Sequence, residues 1–146
     1  MAKIGPNSAP KDDLLPTGEY LLAVVYIERK LARDSGNPYL NLKWKVIDGE
    51  YKNRHFYDMA GLDTSKKGAF VFWSRLLAAV GAGEIELDSD AEISDAILNR
   101  PIKARTKTEV SGEYKNVRIE RILDMTPTER ETANEWAADN IDALPF

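Results

Sequence analysis

Residues Tyr39 to Val46, YLNLKWKV, alternate without a slip: Leu40, Leu42, Trp44 and Val46 fall on one side, Tyr39, Asn41, Lys43 and Lys45 on the other. A period of two sends successive side chains to opposite faces, so this segment is a strand with one face buried and one wet. Such a strand needs partners, and the chain supplies them. GEYLLAVVYIERK before it is dense in β-branched and aromatic residues, which suits a long, largely buried strand starting near Gly18. After the Asp48-Gly49 turn signal, NRHFYDMA reads as a third strand. RPIKARTKTEV and EYKNVRIERIL, joined at Ser111-Gly112, read as two more.

Between the third and fourth strands the period changes. Ala69, Phe70, Phe72, Trp73, Leu76, Leu77 and Val80 recur at spacings of three and four, predicting a helix with a broad apolar face that stops at the glycines of GAG, 81–83. A short second helix entered at Ser89 or Asp90 is compatible with the acidic segment that follows. The order β-β-β-α-β-β predicts an all-β fold, a β-barrel with one main helix, of the OB-fold type in which that helix plugs one end. An open α+β sheet has the same element order.

At 146 residues the chain has room for one such domain with extensions. Residues 1–17, rich in Pro, Asn, Ser and Lys, read as a flexible lead-in, and 18–123 as the domain. Residues 124–146 hold six acids against Arg130 alone, a net charge of −5, and read as a flexible acidic tail. The remaining 123 residues carry 19 basic and 18 acidic side chains, so the overall −4 does not exclude an anionic partner. No apolar run approaches the roughly 20 residues of a membrane span, and no secretory h-region is present, which places the protein in the cytoplasm. With no cysteine and one histidine, thiol chemistry and a Cys/His zinc site are excluded.

Charge concentrates where the last two strands lie. From Arg100 to Leu123 there are seven basic residues and three acids, net +4. Lys103, Arg105 and Lys107 share one strand face at intervals of about 7 Å. Lys43, Lys45, Tyr39 and Asn41 occupy the polar face of the second strand, with Arg54, Phe56 and Tyr57 on the third, and Tyr114 and Arg118 on the fifth. Cations that hold phosphates, interleaved with aromatic rings on which bases stack, suit single-stranded nucleic acid. A row of lysines and arginines on a strand is also how sheets protect their edges and stay in solution. Trp44 and Trp73 are in phase with apolar neighbours and belong to the core, whereas Tyr39 is out of phase and is the first choice for stacking. Of Phe56 and Tyr57, which alternate, one faces out.

No catalytic constellation emerges. In DSDAE, Asp88, Asp90 and Glu92 begin like a calcium loop, but Ile93 stands where glycine is needed and Asn99 where a bidentate glutamate is. His55 has no adjacent nucleophile. The chain is expected not to be an enzyme and to require no cofactor and no metal.

The stretch LPTGEYLLAVVYIERKLARDSGNPYLNLKWKVIDGEYKNRHFYD resembles a family of bacteriophage single-stranded DNA-binding proteins, through Gly-x-Tyr, Ser-Gly-Asn-Pro-Tyr and V-I-D-G-x-Y-K. Asn53 stands where that family's Y-K-G-R has glycine. The final IDALPF is similar to the acidic, apolar-tipped tails of bacterial and phage single-stranded DNA-binding proteins, with Asp142, Pro145 and Phe146 matching D-x-x-P-F. The two resemblances imply an OB fold that coats single-stranded DNA during replication or recombination, and a tail whose Asp139, Asp142, Leu144, Pro145 and Phe146 recruit replication or recombination proteins. A β-rich phage interaction module that ignores nucleic acid is the alternative. Oligomeric state is not encoded in any motif.

Overall fold

The computed structural model describes residues 15–111 and 114–141. The elements run β1 (Gly18–Leu31), β2 (Pro38–Val46), β3 (His55–Gly61), α1 (Lys67–Val80), α2 (Asp90–Ile97), β4 (Ile102–Ser111), β5 (Tyr114–Leu123) and α3 (Pro127–Ile141). All five strands pair antiparallel in a single sheet, in the order β3-β2-β1-β4-β5. Among the described residues the protein is therefore mostly β-sheet with three helices, where the sequence predicts one main helix and leaves a second open.

The sheet is open. No ladder joins β3 to β5 among the described residues, so the expected closed barrel is not formed. What bridges the two edges is a side chain: Asp58 Oδ2 on β3 accepts a hydrogen bond of 2.9 Å from the amide of Ile119 on β5. A backbone group satisfied by a carboxylate needs no strand partner at that point.

β1 is shared between two halves of the sheet. Gly18 to Leu22 pair with β4, and Leu22 to Leu31 pair with β2. A bulge between Val24 and Tyr26 leaves Val25 without a partner and bends the strand. Beside it, the Asn99 amide donates to Val24 O at 2.7 Å, and Leu98 forms an isolated bridge with Val24, tying the segment after α2 to this point.

The concave face holds the core: Leu22, Val24, Leu40, Leu42, Trp44, Val46, Phe56, Ile102 and Ala104, closed over by Trp73 and Leu76 of α1 and by Ile93, Ala96 and Ile97 of α2. The strict alternation of β2 thus lands as its pattern requires. α1 stops at Gly81, whose φ of 74° is left-handed, and its amide and that of Ala82 donate back to Ala78 O and Leu77 O. Phe70, expected on the apolar face of α1, is instead exposed. α2 starts at Ser89, whose side chain accepts from the Glu92 amide at 3.2 Å, and Arg29 of β1 holds it by a 2.8 Å ion pair with Asp90.

Packing extends past the strands at both ends. Residues 1–14 lie outside the described residues, but Leu15 is fully buried and its carbonyl accepts from the Thr108 hydroxyl, while Thr17 Oγ1 accepts from the Thr108 amide at 2.9 Å. Ordered structure therefore starts before Gly18. Beyond Leu123, the expected flexible tail is helical from Pro127 to Ile141. Thr126 and Glu129 form a reciprocal capping box, each amide donating to the other's side chain at 2.8 and 3.2 Å. Proline at the first helical position is preorganised for that start. Ala133 is buried in a second cluster with Leu21, Ala23 and Ile47, and Met125 and Trp136 pack against it.

Candidate nucleic-acid interface

The convex face of β1, β2 and β3 presents side chains in register. Tyr26 on β1 lies opposite Lys43 on β2, and Lys43 lies opposite Tyr57 on β3. At the usual strand spacing the two tyrosines stand about 10 Å apart with the ammonium between them. Tyr26 is 52% exposed and Tyr57 48%. Lys43 Nζ sits 5.9 Å from the Tyr57 ring centroid, a cation–π contact, and His55 meets the same ring edge-on at 6.5 Å.

Further rows flank this one. Glu28, Asn41 and Met59 form the next, with Met59 70% exposed; Lys30, Tyr39 and Gly61 follow; Lys45 lies opposite His55 on the other side. Tyr39, the first choice for stacking, is only half-buried and faces a glycine on β3. Lys30 and Glu28 pair at 3.5 Å. Arg54, just before β3, lies over the Tyr51 ring at 5.5 Å. Phe56 points inward opposite Trp44 and is 7% exposed, so its ring belongs to the core and Tyr57 is the outward member of the pair.

The basic row of β4 is a different surface, because β1 separates β2 from β4 and α3 covers Leu21 and Ala23 on the outside of β1. It is also largely neutralised. Lys103 pairs with Glu129 of α3 at 3.2 Å and approaches Glu19 at 3.9 Å, which leaves its side chain 18% exposed. Arg105 pairs with Glu120 at 3.1 Å, and Arg118 with Glu109 at 3.0 Å. Lys107, in register with Arg118, is exposed and has no ion pair among the described residues. The side chain of Tyr114 lies outside the described residues. So do Asp142, Leu144, Pro145 and Phe146, while Asp139 sits in the last turn of α3.

The residues expected to form one groove thus fall into two sets. At the β3–β5 gap Asp58 and Ile119 meet, and their chain neighbours Tyr57 and Arg118 belong one to each set. Burial pushes the Asp58 carboxyl above the ordinary carboxylate range, against the opposing pull of the Ile119 and Met59 amides and of Arg118. Glu129 is shifted the other way, held below its ordinary range first by the Thr126 amide and then, against some burial, by Lys103.

Tyr26 and Met59 escape a reading of the sequence. Counting in twos from Leu22 and Val24 puts Tyr26 in the core, and only the bulge at Val25 turns it outward. No sequence signal marks that bulge. Among the described residues, no group of three or more His, Asp or Glu side chains is placed to hold a metal ion, and no helix is long and apolar enough to cross a membrane.

A family model described as Protein of unknown function (DUF669) matches residues 6–133, a span that takes in all five strands and the first half of α3. No curated protein matches the chain.

Proposed function

The chain belongs to the DUF669 family of proteins of unknown function, and from that premise we propose that it binds single-stranded DNA on the convex face of β1, β2 and β3. The Tyr26–Lys43–Tyr57 row carries the reading. Two exposed rings about 10 Å apart offer π faces to bases, and the ammonium between them offers a charge to the phosphate that links those bases. Lys45, Asn41, Arg54 and Tyr39 extend the same surface with cations, an amide and a third ring. Stacking on tyrosine and contact with phosphates are indifferent to base identity, so the binding is sequence-tolerant.

The fold supports this reading. We read the order β3-β2-β1-β4-β5, with Asp58 of β3 bonded to Ile119 of β5, as a partly open OB-type barrel, the architecture in which the β2–β3 face and the loops beside it take oligonucleotides. In that architecture α1 and α2 close the core from one end. The role we assign is the coating of unpaired strands during phage replication or recombination, in the host cytoplasm. Residues Asp142 to Phe146 would recruit partner proteins, with Leu144 and Phe146 as apolar anchors beside Asp139 and Asp142.

One observation favours the alternative of an interaction module without nucleic acid: Lys103, Arg105 and Arg118 already have carboxylate partners. A titration with oligo(dT) separates the two. We expect quenching of intrinsic fluorescence and an affinity that falls as salt rises. No binding at low salt would leave the interaction module as the better account.

A further inference from the structure

The sheet face accounts for one set of cations; another set converges elsewhere. A cleft of about 430 Å³ opens between the second half of α1, the end of β5 and the start of α3. Arg75, Lys103, Arg121 and Arg130 line it, with Asp124 as the one acid in the lining, in a chain whose net charge is −4. Its remaining wall is apolar: Ala78, Ala79, Ile122, Leu123 and Met125. None of these residues belongs to the Tyr26–Lys43–Tyr57 row.

The three arginines differ from those on the neighbouring strand surface. Arg105 and Arg118 each have a carboxylate within 3.1 Å, whereas Arg75, Arg121 and Arg130 have no ion pair among the described residues. Lys103 is committed to Glu129, and the amides of Thr126 and Glu129 at the start of α3 are taken by its own capping box. What the cleft offers is therefore guanidinium groups. Such groups fork onto phosphate oxygens with two parallel hydrogen bonds each, and three of them around one space match a dianion better than a carboxylate. The volume is that of a small-molecule site, and the apolar wall gives a sugar or base a surface to lie on.

We infer that this cleft is a second binding site, for a phosphate-bearing ligand of nucleotide size held by Arg75, Arg121 and Arg130. It does not rest on the proposed sheet-face activity. The ligand is either a free nucleotide or the phosphorylated end of a strand, since both present the same group.

Calorimetric titration of the full chain with pyrophosphate, dTMP and thymidine tests it. Pyrophosphate and dTMP should bind and thymidine should not. In Arg75→Ala/Arg130→Ala the affinity for both should fall about tenfold or more, and in Lys66→Ala/Lys67→Ala it should not change. Where the first variant fails to fold, amide shifts in the unaltered protein decide: pyrophosphate should move Arg75, Ala78, Leu123 and Met125. Failure of both phosphates to bind, equal losses in the two variants, or shifts confined to other residues would overturn the proposal. A 5′-phosphorylated oligothymidylate that displaces dTMP better than its 5′-hydroxyl form identifies a strand end; equal displacement identifies a free nucleotide. Loss of oligo(dT) binding in Tyr26→Ala/Tyr57→Ala with dTMP binding intact keeps the two sites apart.

Discussion

Replacing Asp58 by alanine should unfasten the gap between β3 and β5. Its Oδ2 accepts from the Ile119 amide at 2.9 Å and its Oδ1 from the Met59 amide at 2.9 Å. A hydrogen bond to a charged group nets about 1.5–3 kcal/mol, and a part-buried amide left without an acceptor costs about 1–3 kcal/mol. Against this stands the burial of the carboxylate itself, which the raised pKa reveals and which alanine relieves. The balance is a loss of about 2 kcal/mol near neutral pH, or roughly 6–8 °C in Tm for a chain of this length. The pH dependence has a definite sign. Because the folded pKa lies above the unfolded one, the native state binds the extra proton, and the stability this contributes is fully present below the unfolded pKa and lost as pH rises through the folded value. The difference between wild type and Asp58→Ala should therefore be larger at pH 4 than at pH 7, in paired urea melts. A difference that grows from pH 4 to pH 7, or that stays below about 0.5 kcal/mol throughout, would refute the assignment of Asp58 as a buried fastener.

Tyr26→Ala and Tyr57→Ala should each weaken oligo(dT) binding by about 1–3 kcal/mol, read by fluorescence anisotropy, while Phe56→Ala lowers Tm because its ring is core. Glu129→Gln should loosen α3 by about 1 kcal/mol; as the folded pKa of Glu129 is lowered, its contribution is present above the unfolded pKa and lost as pH falls through the folded one, which Trp136 fluorescence against pH will follow. Lys43→Glu should reduce DNA affinity and its salt dependence more than Lys103→Glu, measured as the slope of log K against log salt. Asn53, at φ 77°, should tolerate glycine with no loss of Tm but lose about 1–2 kcal/mol on replacement by valine.

The parts of this protein legible in its sequence are those where one face is buried and the other wet. β2 is the clearest case: Leu40, Leu42, Trp44 and Val46 all became core, and the glycine cap of α1 and the Ser89 cap of α2 stand where their residue types point. Asn53 occupies a left-handed conformation that asparagine tolerates better than most residues. Composition concealed α3. Its residues are mostly polar and its net charge hides a local signal, Thr126-Pro127-Thr128-Glu129, that marks a helix start. What fixes that helix is tertiary: a small apolar cluster around Ala133 and the Lys103–Glu129 pair. The same pair explains why Lys103 could not be placed from its strand alone. Its partner is 26 residues away in sequence, on an element read as tail.

Val25 is a residue of surplus length, and its effect is felt as curvature. Strand residues on both sides of it already face β2 in phase, Val24 inward and Tyr26 outward. Deleting it would leave every side chain pointing where it points now. What would vanish is the added coil in the one strand that both halves of the sheet share. A straighter β1 carries β3 and β5 apart at the far rim, beyond the reach of a carboxylate as short as that of Asp58. Deleting Val25 should therefore weaken the Asp58–Ile119 hydrogen bond, and a change of length there should matter more than a change of its side chain.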